Sequence, residues 1–168
     1  MTAYPSTAPE QASPGIAERG AHMDRLIRVY FDGCNEADVG KIAACFIPDA
    51  VHYFPPGMYE GPFQGARKIA EKWRTAVQNL GSYWTVDRLL IEPSSWQAVM
   101  EWTHFKTRTG AVLRGIEWYE FDPASGLIRE IRAYYATPQP AEGDRFELGG
   151  FDYEGRDYPM GPPPGSRD

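Results

Sequence analysis

The chain has 168 residues, 42% hydrophobic and 24% charged, the make-up of one globular domain with one core rather than two small ones. The formal net charge is −6, with 17 Lys and Arg scattered among 23 acids. No basic patch therefore marks a nucleic-acid or anionic-membrane partner, and no apolar run approaches the ~20 residues of a spanning helix. Aromatic residues reach 14%; they fill cores, but they also line pockets for flat or greasy ligands.

Residues 1–20 begin with a stretch rich in Pro, Ser, Thr and Ala and are expected to form a disordered tail. They lack the basic start and apolar run of a signal peptide, so the protein is expected to be soluble and cytoplasmic. A helix begins at Ile16 or Ala21, with Met23, Leu26, Ile27, Tyr30, Phe31 and Cys34 on one face. Asn35-Glu36-Ala37 breaks it. Asp38 is placed to cap a second short helix carrying Val39, Ile42, Ala43 and Phe46, which Pro48-Asp49 stops. Cys34 and Cys45 fall in these apolar patterns and read as reduced core residues, not a disulfide. Residues 50–54 (AVHYF) read as a strand ended by Pro55-Pro56-Gly57. A loop over 61–65 leads into a third helix with Ile69, Ala70, Trp73, Ala76, Val77 and Leu80 on one side and Gly81 as its C-cap.

After Gly81 the apolar period changes to two residues. Segments 83–92, 96–107, 111–121 and 127–136 are strand candidates, joined by hairpin turns at Thr109-Gly110 and over 122–126. The order is three helices around one strand, then a four-stranded antiparallel meander: an α+β domain spanning 21–136, with helices against one face of a curved sheet. Trp96, Ala98, Met100, Trp102 and His104 share the more apolar face of their strand and point inward. Leu113, Gly115, Glu117, Tyr119 and Phe121 share a face of the next, and Ile131, Ala133 and Tyr135 of the last. Ile116 and Trp118 are apolar on the other face, which points to a homodimer through the sheet. Residues 137–168 turn Pro- and Gly-rich, yet Phe146, Leu148, Phe151, Tyr153 and Tyr158 punctuate them. Such anchors are expected to hold this tail across the domain, a partner subunit or a pocket mouth.

Residues 30–65 (YFDGCNEADVGKIAACFIPDAVHYFPPGMYEGPFQG) and 99–135 (VMEWTHFKTRTGAVLRGIEWYEFDPASGLIREIRAYY) resemble SnoaL-like and ketosteroid-isomerase-like proteins of the nuclear-transport-factor-2-like superfamily. The shared features are an N-x-x-D turn, a short helix ending F-x-x-D-A, a G-x-x-x-I helix and a D-x-x-x-G-x-I hairpin. The resemblance covers residues 21–136. It implies a cone-shaped barrel of curved antiparallel sheet packed on three N-terminal helices around a deep pocket, and a homodimer. It is poor for function, because this fold hosts isomerases, dehydratases, cyclases, hydrolases and non-catalytic modules. By resemblance to ketosteroid isomerases, Tyr30 and Glu117 fall at the oxyanion-binding tyrosine and its protonated acid partner. Phe54 stands where those enzymes carry a proton-shuttling aspartate. By resemblance to limonene-epoxide-hydrolase-like enzymes, Trp102, His104 and Ala133 stand where their Arg and two Asp activate water, so that triad is absent. The acid that SnoaL-type cyclases use in the last strand is likewise replaced by Ala133.

Four ionisable groups remain for a pocket: His52, two residues before Phe54 on the same face, His104, Tyr30 and Glu117. A histidine titrates near neutral pH and takes or gives a proton without special tuning. A His104–Glu117 dyad would fix the imidazole tautomer. Each has a structural alternative: Glu117 in an ion pair with Arg114 or Arg132, the histidines bonded to backbone, Tyr30 a core tyrosine. Phe54, Trp73, Met100, Trp102, Tyr119 and Tyr135 are candidates to bind substrate, though core packing is their simplest role. Three histidines without ligand spacing supply no metal motif, and no glycine-rich phosphate loop appears. These residues fit a cofactor-independent lyase, dehydratase or isomerase acting on a small hydrophobic metabolite, aromatic or polycyclic. The alternatives are a non-catalytic binding or assembly module, and a hydrolase using His-activated water.

Overall fold

The computed structural model describes residues 15–135 and 148–156; the expectations for residues 1–14, and for Phe146 and Tyr158, lie outside them. Helix α1 spans Ile16–Glu36. The Glu18 carboxylate reaches back to accept from the Gly15 N–H at 3.2 Å, which fixes the helix start. Residues 16–20 are thus its first turn and not part of a tail. Ala37, in the left-handed conformation at φ 56°, ends it. Asp38 caps α2 (Val39–Ala43), accepting from the Lys41 N–H at 2.9 Å as its side-chain type predicts. Phe46, assigned to this helix by its spacing, instead opens strand β1 (Phe46–Tyr53). It is taken by a partner that local periodicity does not show: Ile128, in parallel pairing.

A two-residue strand β2 (Phe63–Gln64), too short to alternate, lies where the sequence suggests only a loop. Helix α3 (Ala66–Leu80) ends at Gly81, φ 61°, as expected. There follow β3 (Ser82–Glu92), β4 (Gln97–Lys106), β5 (Ala111–Phe121) and β6 (Ile128–Tyr134). The sheet order is β2-β1-β6-β5-β4-β3. The last four strands form the antiparallel meander, while β1 joins β6 in parallel. The expected cone is therefore a curved mixed sheet that stays open, with β2 and β3 as its edges. Near the β3 edge, Asn35 from the end of α1 takes the place of a strand. Its amide donates to the Trp84 carbonyl at 2.9 Å and accepts from the Trp84 N–H at 2.7 Å. One side chain thereby satisfies both backbone groups of a buried residue, which cost about 1–3 kcal/mol each if left unpaired.

The inner face carries the parity read from sequence. Ala98, Met100, Trp102, Glu117, Tyr119, Ile131 and Ala133 are buried against Met23, Ile27 and Tyr30 of α1 and Ile69 and Trp73 of α3. On the outer face Val112, Ile116, Trp118 and Tyr134 are exposed. Residues 148–156 pack on this same domain beside β1. The Gly149 N–H donates to the Phe54 carbonyl at 2.9 Å, Leu148 and Phe151 are buried, and Phe151 meets Tyr53 edge-on at 5.2 Å. Cys34 and Cys45 are buried free thiols. Among the described residues no helix is long and apolar enough to cross a membrane.

Candidate functional site

Between α1, α3 and the inner face of β3–β6 lies a cavity of about 230 Å³. Tyr30, Phe31 and Cys34 reach it from α1, and Trp73, Ala76 and Leu80 from α3. Trp84 comes from β3; Trp102, His104 and Lys106 follow one another along β4; Leu113 and Glu117 come from β5; Phe54, Ala133 and Tyr135 complete the wall, with Met58 and Tyr59 from the loop after β1. Most of this surface is aromatic or aliphatic, so the few polar groups stand out.

Glu117 is buried on β5. One carboxylate oxygen accepts the Tyr119 O–H; the other faces His52 Nε2 at 3.4 Å. His52 is wholly buried, stacks on Phe54 at 4.2 Å and does not itself reach the cavity. It is a backing group to Glu117. Tyr119 likewise lies behind the wall, and Met100, opposite Glu117 in the register, is packed in the core. Of the six residues predicted to bind substrate, Phe54, Trp73, Trp102 and Tyr135 line the cavity, and Met100 and Tyr119 do not.

The predicted His104–Glu117 dyad does not form. His104 pairs across to Leu113, four residues from Glu117 on β5, which separates them by about 13 Å along the strand. His104 Nε2 is hydrogen-bonded to Ser82 Oγ at 2.8 Å, and the ring stacks on Trp84 at 4.4 Å. Glu117 also pairs with neither Arg114 nor Arg132; Arg132 is engaged on the outer face with Glu120 and Glu130.

Burial lowers the His104 pKa to about 4, and the Lys106 charge adds to the shift, so the imidazole is neutral near pH 7 and can accept a proton. Burial raises the Tyr30 phenol well above its ordinary value, as do the neighbouring Cys34 and Glu117; it remains a hydrogen-bond donor. The Cys34 thiol is raised by burial too, which removes it as a nucleophile.

The neutral burial of His104 has a consequence for stability. As pH falls below 6.5 the unfolded chain takes up a proton at this residue, while the folded protein does not until about 4. Stability is therefore expected to fall with acidification across this window. One proton gives a slope of about 1.4 kcal/mol per pH unit, and roughly half of that is expected because solvent reaches the ring through the cavity. Urea unfolding of the protein and of His104→Gln between pH 4 and 7 checks this. Equal slopes in the two chains contradict a neutral, buried His104.

Ser82, which bonds His104, and Lys106, which lines the cavity, carry no motif in the sequence. Lys106 was within reach, two residues beyond His104 on the same face. Ser82 needed the β3–β4 register. Met58 and Tyr59 sit in a loop with no period at all. Among the described residues no group of three or more His, Cys, Asp or Glu is arranged to hold a metal ion.

A curved sheet with three helices over an apolar hollow is the NTF2-like fold, and solved structures of that fold match. An NTF2-like protein of unknown function from Mesorhizobium loti aligns at TM-score 0.59 with 15% identity, over 71% of this chain and 94% of that one. SalBIII, an epoxide hydrolase/cyclase-like enzyme with a role in pyran ring formation in the polyether salinomycin, aligns at 0.57 with 15% identity, over 70% and 92%. At such identity the likeness is one of fold alone. Residues 27–131 match the SnoaL-like domain, and the chain belongs to that family. A protein of unknown function with a cystatin-like fold from Methylobium petroleophilum PM1 is 60% identical, at TM-score 0.82 over 86% of this chain and 95% of that one. No curated protein matches.

Proposed function

We propose that this protein is a cofactor-independent acid/base enzyme, a lyase (dehydratase) or isomerase, acting on a small hydrophobic ring compound in the cytoplasm. The observation that carries the reading is Glu117. It is the one carboxyl group among the described cavity-lining residues, it is buried, and it is backed by the Tyr119 hydroxyl and the His52 imidazole. A carboxyl group so placed can take a proton from a bound substrate and return it. Neutral His104 is the second base. Tyr30 is a donor to an oxyanion developing on the substrate. In an elimination, the Glu117 carboxylate removes the hydrogen next to a carbonyl, Tyr30 donates to the enolate oxygen, and the same carboxyl group returns that proton to the departing hydroxyl. In an isomerisation the proton returns to a different carbon. A void of about 150 Å³ takes benzene, so the cavity of about 230 Å³ favours one or two rings over a larger polycycle.

The test uses 2-tetralone in D2O, with deuterium entry next to the carbonyl followed by NMR. The protein is expected to speed this exchange and Glu117→Gln to abolish most of the gain. Exchange no faster than in buffer, with binding intact, favours a non-catalytic binding module, a reading that the largely apolar wall also fits. A homodimer through the outer sheet face is part of the proposal, since Ile116 and Trp118 are 47% and 37% exposed there. Sedimentation is expected to show a dimer that Ile116→Lys separates; a monomeric starting protein contradicts it.

A further inference from the structure

Gly115 is the only glycine inside a strand among the described residues. Its φ is not positive, so no turn geometry calls for glycine there. A glycine in a strand interior weakens the strand and often marks a close approach by another group. Here the group is Trp102, its register partner on β4. A methyl group at position 115 would stand 2.5 Å from Trp102 Cζ2, 3.0 Å from its Cε2 and 2.9 Å from Tyr135 Cβ. The indole therefore crosses directly over bare backbone, while Trp102 also forms part of the cavity wall between His104 and Glu117.

We propose that Gly115 determines specificity: by carrying no side chain it lets the Trp102 indole lie down against β5, and the smooth wall so formed selects flat ring compounds. The inference rests on the cavity being the ligand site, not on the acid/base chemistry. A side chain at 115 points to the inner face, where it meets a rigid ring that has the sheet behind it and Tyr135 beside it. The indole can yield only toward the void, narrowing the slot between His104 and Glu117. A flat ligand then loses its surface, and the depth of the cavity shrinks.

Calorimetric titration with 2-naphthol and trans-2-decalol, a flat and a puckered two-ring alcohol, tests this. The unchanged protein is expected to bind 2-naphthol about tenfold more tightly than the decalol or better, and Gly115→Ala to lose about tenfold for 2-naphthol and with it the preference. The double variant Trp102→Phe/Gly115→Ala has a smaller ring over the new methyl group, and its 2-naphthol affinity is expected within about threefold of Trp102→Phe alone. Gly115→Ala binding like the unchanged protein overturns the proposal, and so does a double variant as weak as Gly115→Ala. If Gly115→Ala does not fold, the double variant decides: folded and binding supports the steric account, unfolded overturns it. An unchanged protein that binds neither alcohol also overturns it. The readout is binding and not turnover, so a failure of the acid/base reading leaves this result standing.

Discussion

A Glu117→Gln chain is expected to fold and bind 2-tetralone normally and to exchange its α-hydrogens about 100-fold more slowly or worse, the usual contribution of a positioned acid or base. Glutamine keeps the size of the side chain and can still accept from Tyr119, so the wall hardly changes. It cannot hold and release a proton. His52 faces the carboxyl at 3.4 Å without reaching the cavity, which makes it a positioning residue. His52→Gln is expected to slow exchange less than Glu117→Gln and to move the pH profile, a signature that loss of packing alone does not give. Exchange unaffected by Glu117→Gln assigns the proton to His104 instead.

Arg132→Met is expected to cost about 3 kcal/mol of stability, because removing one partner of a buried ion cluster strands the others. Arg132 and Glu130 are only 5% and 7% exposed, although both lie on the outer side of the sheet. Arg132 Nε meets Glu130 at 3.2 Å, and the same guanidinium contacts Glu120. Arg156, from the segment after the sheet, closes the cluster with two contacts to Glu130 at 2.9 and 2.7 Å. Among the described residues, Glu130 then keeps only Arg156 and Glu120 only Arg129 after Arg132→Met. Replacing Glu120 and Glu130 by Gln together with Arg132→Met is expected to recover part of the loss, since the buried carboxylates are then neutral and only the exposed Arg129 and Arg156 lose a partner. Urea denaturation of the single and triple variants measures both. A single variant within about 1 kcal/mol of the starting protein shows that the cluster contributes nothing beyond an exposed pair.

Most of the fold is legible in the sequence because local chemistry dictates it. Alternation puts Met100, Trp102 and His104 on one face of β4 and Glu117 and Tyr119 on one face of β5, and all five are buried there. Depth is not legible. The same alternation cannot tell Trp102, which walls the cavity, from Met100, which is packed in the core. Parity also fixes a face without fixing a register, and this is why His104 and Glu117, correctly placed on one side, are not neighbours. The histidine that faces Glu117 is His52, brought there by the β1–β6 pairing, a contact between distant segments that leaves no local trace. Phe46 is misread for the same reason.

That parallel pairing also sets a timetable. Phe46 and Ile128 are aligned neighbours although 82 positions separate them (128 minus 46). On the ribosome, at about 5–20 residues per second, this is a delay on the order of ten seconds. During it α1 is already made and α3 follows, with Met23, Ile27 and then Trp73 uncovered, and the Ala133 side of the hollow has not been made. Pairing over so long a span is slow once the chain is complete. The newborn chain therefore passes through a ligand-incompetent stage with apolar surface exposed, and it gains its binding cavity only when the last strand docks.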